Sequence, residues 1–244
     1  MRRWRDTPLA ALMLAPSVVL FGLFVFYPLV RTVWLGLHQE DFFGGNRTYV
    51  GWSQYWDVLT SDDFLHSMGV TFKFVLLTVP AGLVLGIGLA VLANKQLRHV
   101  GAYRTVFSST VATSVAVASL MWLVLLNPSI GVLTQVLPFD VLKNPGLLES
   151  PSWALFAVSL TTIWQNLGFT FIIMSAGLQG IPEELNESAL IDGAGGWRRF
   201  TNVTLPMLSP TILFSTTVLT IGAFQTYGQI DLLTGGGPED RTRV

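Results

Sequence analysis

Phe74-Val-Leu-Leu-Thr-Val-Pro-Ala-Gly-Leu-Val-Leu-Gly-Ile-Gly-Leu-Ala-Val-Leu-Ala-Asn94 runs for 21 residues without Asp, Glu, Lys or Arg. A helix needs about 20 mostly apolar residues to cross a hydrocarbon core of about 30 Å. Four other stretches share this character: Pro8 to Val30, Thr105 to Phe139, Ser150 to Pro182 and Phe200 to Ile230. Backbone amides find no water inside a bilayer, so a spanning segment must be a helix or part of a closed barrel. These runs are continuously apolar and do not alternate with period two, which selects helices. The sequence therefore predicts an all-α membrane protein, a bundle of five transmembrane helices near 9–35, 70–93, 106–126, 153–176 and 211–231, with residues 1–244 forming a single transmembrane domain.

Composition agrees. Of 244 residues 51% are hydrophobic and only 12% charged, roughly half the charged fraction of a soluble domain. A net charge of −1 gives no electrostatic footprint for nucleic acid. The chain has no cysteine, which removes disulfides and thiolate metal sites, and His38, His66 and His99 share no ligand spacing. No metal ligand set and no catalytic residue is predicted. The first apolar run is too long for a typical signal-peptide core and lacks a clean small-x-small cleavage site, so it reads as a retained span.

Orientation follows from the basic residues of the short loops. Arg2, Arg3, Arg5, Lys95, Arg98, Arg104, Arg198 and Arg199 all fall on one side. That side is read as cytoplasmic, with the N-terminus inside the cell. Arg47, Lys143, Arg241 and Arg243 fall on the other side, with Arg31 at the rim. Lys73 opens the second span and reaches back to the outer interface. Five spans leave the C-terminus outside, and a further span is expected beyond Val244.

Gly82, Gly86 and Ala90 recur at intervals of four on the second span. Small residues so spaced admit a close helix partner. The stripe serves static packing or a moving contact, and packing is the favoured reading. Pro16, Pro28 and Pro80 remove amide donors in or near spans.

The fourth loop, 177–210, contains Ile181-Pro-Glu-Glu-Leu-Asn-Glu-Ser-Ala-Leu-Ile-Asp-Gly-Ala-Gly-Gly-Trp-Arg-Arg-Phe-Thr-Asn-Val-Thr-Leu-Pro206. Pro182 suits a first helical position, and Glu183 and Glu184 suit the positive end of the helix dipole. Gly193 ends that helix, and Gly195-Gly196 allow a sharp turn into a second one starting at Trp197. The result is a helix-turn-helix on the cytoplasmic face. An amphipathic helix lying on lipid is the plainer alternative. Glu183, Glu184, Glu187 and Asp192 argue against it, because an anionic leaflet repels them. A protein partner fits better.

Glu187-Ser188-Ala189, two residues, Asp192-Gly193-Ala194, five residues, Phe200, two residues, Val203, one residue and Leu205-Pro206 resemble the EAA loop of ABC importer permeases. Ser188 stands where the second alanine usually lies. Ala15-Pro16, Tyr27-Pro28, Tyr49-Val-Gly-Trp-Ser-Gln-Tyr55, Tyr103-Arg104, Trp122, Asn127-Pro128, Gly131 and Leu233-Thr-Gly-Gly-Gly-Pro238 resemble the carbohydrate branch of the same family, the MalF-like and UgpA-like sugar and glycerol-phosphate permeases. The usual proline early in the third span is replaced around Ser108-Ser109, and the resemblance implies a sixth and last span, expected after the Leu-Thr-Gly-Gly-Gly-Pro segment, that these 244 residues do not include.

The resemblance implies a permease subunit that binds no cofactor itself. ATP and Mg would sit on two cassette ATPase subunits, with a second permease subunit, an extracytoplasmic solute-binding protein and the lipid bilayer of the cell's inner membrane completing the assembly. Glu187, Ser188, Ala189, Asp192, Gly193, Ala194, Phe200, Leu205 and Pro206 would form the ATPase contact, and nucleotide-driven closure would rock the spans between inward-open and outward-open states. No Gly-Lys-Ser or Gly-Lys-Thr phosphate loop occurs in the chain. For the solute path, the candidates inside spans are Gln165 and Asn166 beside Trp164, and Gln225 with Tyr227. Interhelical bonding is an equal alternative for them. A transporter driven by an ion gradient is the competing function, disfavoured because the five runs hold no carboxylate.

Overall fold

The computed structural model describes residues 7–40, 47–94, 100–136, 140 and 143–244. Arg2, Arg3, Arg5, Lys95, Arg98 and His99 lie outside the described residues. Contacts divide the chain into two compact units, 1–66 and 67–244.

In the first unit, helix α1 (Thr7–Phe21) runs through a π-helical turn (Gly22–Phe26) into α2 (Tyr27–Gly36). Leu9–Gly36 is long and apolar enough to span a membrane. The π-turn has a local cause. Pro28 has no amide, and its ring would strike the carbonyl four residues back in a regular α-helix. The turn widens instead, and the Tyr27 amide donates to the Gly22 carbonyl five residues earlier. A two-stranded antiparallel hairpin follows, strand β1 (His38–Glu40) against β2 (Arg47–Tyr49), with His38 opposite Tyr49. Uniform apolar runs gave no sign of it. Arg47 Nε donates to Glu40 across the hairpin at 2.7 Å. Helix α3 (Ser53–Thr60) places Tyr55 against Gly36, where any side chain would overlap the phenol ring. The Tyr55 hydroxyl donates to the Val33 carbonyl at 3.2 Å. The Tyr49-to-Tyr55 segment thus folds the chain back on the end of the first span.

The second unit is a helical bundle. Helix α4 (Asp62–Asn94) enters it and carries the predicted second span. Gly82, Gly86 and Ala90 are all buried on it. A Cβ at Gly86 would overlap the Thr170 side chain on helix α8 (Ala154–Gln179). The stripe therefore packs, as a close helix crossing requires. Phe74, Val79, Trp122, Ala157, Val158, Leu219 and Ile230 form one buried cluster, and Ala90, Ala93, Phe171, Met174, Leu178 and Leu208 a second nearer the other end of α4. Arg104 Nη2 donates to the Ala93 carbonyl at 3.2 Å, so a cation closes the C-terminal end of α4.

Two predicted spans differ from expectation. The third, 106–126, is not one rod. Helix α5 (Val100–Ser108) tightens into a 3-10 turn (Ser109–Ala112), and helix α6 (Val115–Leu125) leaves at 108° to it. Hydroxyls replace the proline as the cause. Ser108, Ser109 and Thr110 donate to the carbonyls of Thr105, Val106 and Phe107 at 3.2, 2.7 and 3.5 Å. Ser114 then caps α6 by accepting from the Val117 amide at 3.3 Å. Side chains that bond local carbonyls compete with the helix ladder and bend it. The fifth span begins earlier than 211 and ends before 231. Helices α10 (Gly196–Arg199) and α11 (Leu205–Phe224) join through a π-turn (Phe200–Thr204) into one rod, Gly196–Phe224. This turn again ends just before a proline, Pro206, with Leu205 donating to the Phe200 carbonyl. After Phe224 the chain breaks, and helix α12 (Gly228–Leu233) packs on α6 and α8.

Leucine at Gly86 should destabilise the purified protein by about 1–3 kcal/mol through overpacking. Leucine at Gly69, which meets nothing within 4 Å on the same helix, should leave the thermal midpoint near that of the parent. Equal midpoints for the two variants would contradict the packing assigned to Gly86.

Candidate functional site

Two places gather the residues singled out by the sequence. The first is the fourth loop. Helix α9 (Glu183–Ile191) follows Pro182, with Glu183 and Glu184 in its first turn. Its C-terminus is a Schellman motif. The Ala194 amide donates to the Ala189 carbonyl at 2.9 Å and the Gly193 amide to the Leu190 carbonyl at 3.0 Å. Gly193 has φ of +73°, and a Cβ there would meet nothing. Its glycine is thus demanded by backbone conformation and not by crowding. Glu187, Ser188, Asp192 and Gly193 are exposed, while Ala189, Ala194 and Phe200 are half-buried. Ile191 is 87% exposed and Trp197 77%, so apolar surface sits beside the carboxylates at the tip of the loop. Leu205 and Pro206 lie in the first turn of α11, where Pro206 needs no amide partner. The loop is therefore joined to the fifth span by continuous helix from Gly196 onward.

The second place is the break in the third span. A cavity of about 290 Å³ is lined by Thr110, Val111 and Thr113 from the break, Gln165, Asn166 and Phe169 from α8, and Val218, Leu219 and Gly222 from α11. Non-helical backbone at membrane depth is tolerated where it is buried in protein or lines a cavity, and Thr110, Val111 and Thr113 of this break line one. Gln165 Nε2 donates to the Thr113 carbonyl at 3.2 Å. Thr110 Oγ1 accepts from the Gly168 amide at 2.9 Å. Behind Gln165, Gln229 Nε2 donates to Gln165 Oε1, and Thr162 Oγ1 donates to Gln229 Oε1 at 2.7 Å. The polar groups of the break are thus met by the Gln165 side chain and the Gly168 amide of α8, with Gln229 of α12 behind Gln165.

Of the five path residues read from sequence, Gln165 and Asn166 come together on this cavity. Trp164 turns away and meets Trp122 edge-on, with ring centroids 6.1 Å apart, at the margin of the first core cluster. Gln225 and Tyr227 are exposed just beyond α11, with the Tyr227 hydroxyl 3.5 Å from Asp231. Neither lines the cavity. Thr162, Thr110, Thr113 and Gln229 went unnoticed in the sequence. Gln229 is 3% exposed and lies four positions past Gln225. A buried glutamine could have been found only by recognising that Gln225-Thr-Tyr ends one helix and starts another. Asn127-Pro128 and Gly131 are structural. Asn127 Oδ1 accepts from the Ser129 and Ile130 amides at 2.9 and 3.1 Å, closing the turn between α6 and the short helix α7 (Val132–Val136).

No group of three or more His, Cys, Asp or Glu side chains arranged to hold a metal ion occurs among the described residues. Comparison with known proteins supplies the family. Residues 82–243 match the family model described as binding-protein-dependent transport system inner membrane component. The sn-glycerol-3-phosphate transport system permease protein UgpA of Agrobacterium fabrum is 36% identical over 234 residues, covering 96% of this chain and 80% of that protein. The trehalose/maltose transport system permease protein MalF of Thermococcus litoralis is 31% identical, covering 98% of this chain and 81% of its own length. Among solved structures, a bacterial ABC transporter that imports the acidic polysaccharide alginate matches with a TM-score of 0.82 at 25% identity, over 98% of this chain and 80% of the matched one. The apolar rods and the broken, cavity-lining span accord with a membrane permease, and the chain belongs to the family of binding-protein-dependent transport system inner membrane components.

Proposed function

We propose that residues 1–244 act as one permease domain of an ATP-driven importer for a sugar or glycerol-phosphate-type solute, and that the α9–α10 elbow takes force from a cassette ATPase. The observation that carries this reading is the elbow itself: an exposed acidic helix, locked by a Schellman turn and leading into a second short helix that is continuous with the fifth span. Glu187 and Asp192 offer carboxylates for charge-assisted bonds to a partner's arginines or amides. Ser188, Ala189, Gly193 and Ala194 keep the surface small, so a partner's backbone approaches closely. Phe200, Leu205 and Pro206 anchor the elbow to α11. A push at the tip then moves the span as a lever, the step alternating access requires.

ATP and Mg belong, on this reading, to two ATPase subunits. A second permease subunit and an extracytoplasmic binding protein complete the importer, as the alginate importer structure in complex with its periplasmic protein suggests by analogy. The N-terminus and the elbow face the cytoplasm. In support, Arg104, Arg198 and Arg199 cluster at the elbow's end of the bundle: Arg104 closes α4, and Asn94 and Arg199 line a common cleft of about 250 Å³. The solute passes the break in the third span, where Gln165 and Asn166 offer amides to hydroxyl groups and Phe169 an aromatic face. Trp164, Gln225 and Tyr227 are not needed for this path. Relatives named for glycerol phosphate and for trehalose and maltose support the solute class.

Valine at Gly193 cannot adopt φ of +73° without roughly 1–2 kcal/mol of strain. In the reconstituted complex it should lower solute-stimulated ATP hydrolysis and uptake together, with membrane abundance retained. Replacing Glu187 and Asp192 by alanine should weaken coupling roughly tenfold, the loss of one charge-assisted contact or more. Unchanged uptake in both variants would refute the coupling role. For the path, Gln165→Leu and Asn166→Leu should reduce uptake of labelled maltose, trehalose or sn-glycerol 3-phosphate while leaving basal ATP hydrolysis intact. If the parent complex accumulates none of the three, the assigned solute class is wrong.

A further inference from the structure

We infer that Gln229 is a positioning residue that holds the oxygen end of the Gln165 amide, so that Gln165 presents one fixed pair of hydrogen-bonding groups to the solute; the inference rests on the path proposed above. The argument is one of polarity. A backbone carbonyl only accepts. The Thr113 carbonyl at the break must therefore face the Gln165 NH₂ group, as it does at 3.2 Å. That choice turns Gln165 Oε1 towards Gln229, which must answer with a donor, and Gln229 Nε2 supplies it. Gln229 Oε1 then needs a donor behind it, and the single hydrogen of the Thr162 hydroxyl supplies that at 2.7 Å, in preference to the Val158 carbonyl at 3.0 Å. The direction of every amide in the relay follows from the first carbonyl. A flipped Gln165 would set two acceptors against each other at Thr113.

The relay occupies one hydrogen of the Gln165 NH₂ and one lone pair of its oxygen. One N–H and one lone pair remain, and Gln165 lines the cavity. A solute hydroxyl both donates and accepts, so it matches this remaining pair. Gln229 is itself sealed from the cavity, 3% exposed and absent from its lining. It sits on α12, which packs on both α6 and α8, so it also ties the far side of the break to the helix bearing Gln165. A site built to hydrogen-bond a hydroxyl rejects analogues lacking it far better than an apolar pocket does. Without Gln229, Gln165 keeps its bond to the Thr113 carbonyl but loses the donor that holds its oxygen, so the amide plane is no longer fixed at both ends and that discrimination fades.

The test uses the full complex in liposomes, with whichever of maltose, trehalose and sn-glycerol 3-phosphate the parent accumulates, set against its singly deoxygenated analogues. The readout is the ratio of maximal uptake rates for the solute and its most poorly accepted analogue. Gln229→Leu should lower that ratio roughly fivefold to tenfold, the worth of one hydrogen bond, with ATP hydrolysis and membrane abundance near parental. Gln229→Glu, whose carboxylate cannot donate to Gln165, and Thr162→Val should shift it the same way. Thr162→Ser, which keeps the hydroxyl, should restore the parental ratio. A role in stability alone would scale both rates equally. An unchanged ratio in Gln229→Leu and Gln229→Glu, with Gln165→Leu altering it, overturns the inference. An unchanged ratio in Gln165→Leu overturns instead the path on which it rests. Loss of assembly in all three disruptive variants, with Thr162→Ser intact, assigns the relay to folding and equally overturns it.

Discussion

Inside the hydrocarbon layer no water completes a broken hydrogen bond, so a helix that breaks there must find its partners in protein. The third span breaks between Ala112 and Val115, and the rest of the second unit is arranged around that fact. Helix α8 brings Gln165 to the Thr113 carbonyl and Gly168 to the Thr110 hydroxyl. Helix α12 returns after the fifth span to place Gln229 behind Gln165. Glycine at 168 is what allows the approach, since a side chain there would overlap Thr110 and Val111. The cavity is a consequence: a span that turns through 108° cannot fill the space a straight rod would occupy.

The same constraint separates the two roles within one helix rod. At its elbow end, Gly196–Phe224 carries exposed charge and a protruding tryptophan, and its π-turn lets Pro206 sit without a clash. At its other end, Val218, Leu219 and Gly222 face the cavity. On the proposed reading, a displacement applied at the first end reaches the second through one helical stretch, Gly196–Phe224. The π-turn before Pro28 has the same construction. In both spans, a proline near a helix entry is absorbed by widening one turn, so the rod keeps its length.

Most of the spans were legible because exclusion of charge over 20 residues is a one-dimensional signal that needs no knowledge of partners. The elbow was legible for a related reason: Pro182 and Gly193 are local punctuation, and both act where the sequence put them. The break was not, although its cause lies in plain view. Ser108, Ser109, Thr110, Thr113 and Ser114 carry no charge and so leave the apolar run intact, while their hydroxyls undo the helix by bonding its carbonyls. The hairpin of the first unit was missed because three-residue strands are too short to show alternation.

Which of the candidate path residues line the cavity is decided by a further factor, which is register. Reading 211–231 as one helix puts Gln225 on a face with Gly222 and makes Tyr227 a neighbour of the path. The helix stops at Phe224, and three residues of turn reset the phase before α12 begins. Gln225 and Tyr227 then face outward while Gln229 faces in. Gln165 and Asn166 needed no such correction, because α8 runs unbroken from Ala154 to Gln179 and its phase is fixed by Ala157, Val158, Thr161 and Phe171 in the core. Polar side chains in a long helix can thus be assigned to a face from sequence. Those beyond a break cannot, since the angle through which the chain turns is set by the hydrogen bonds that receive it.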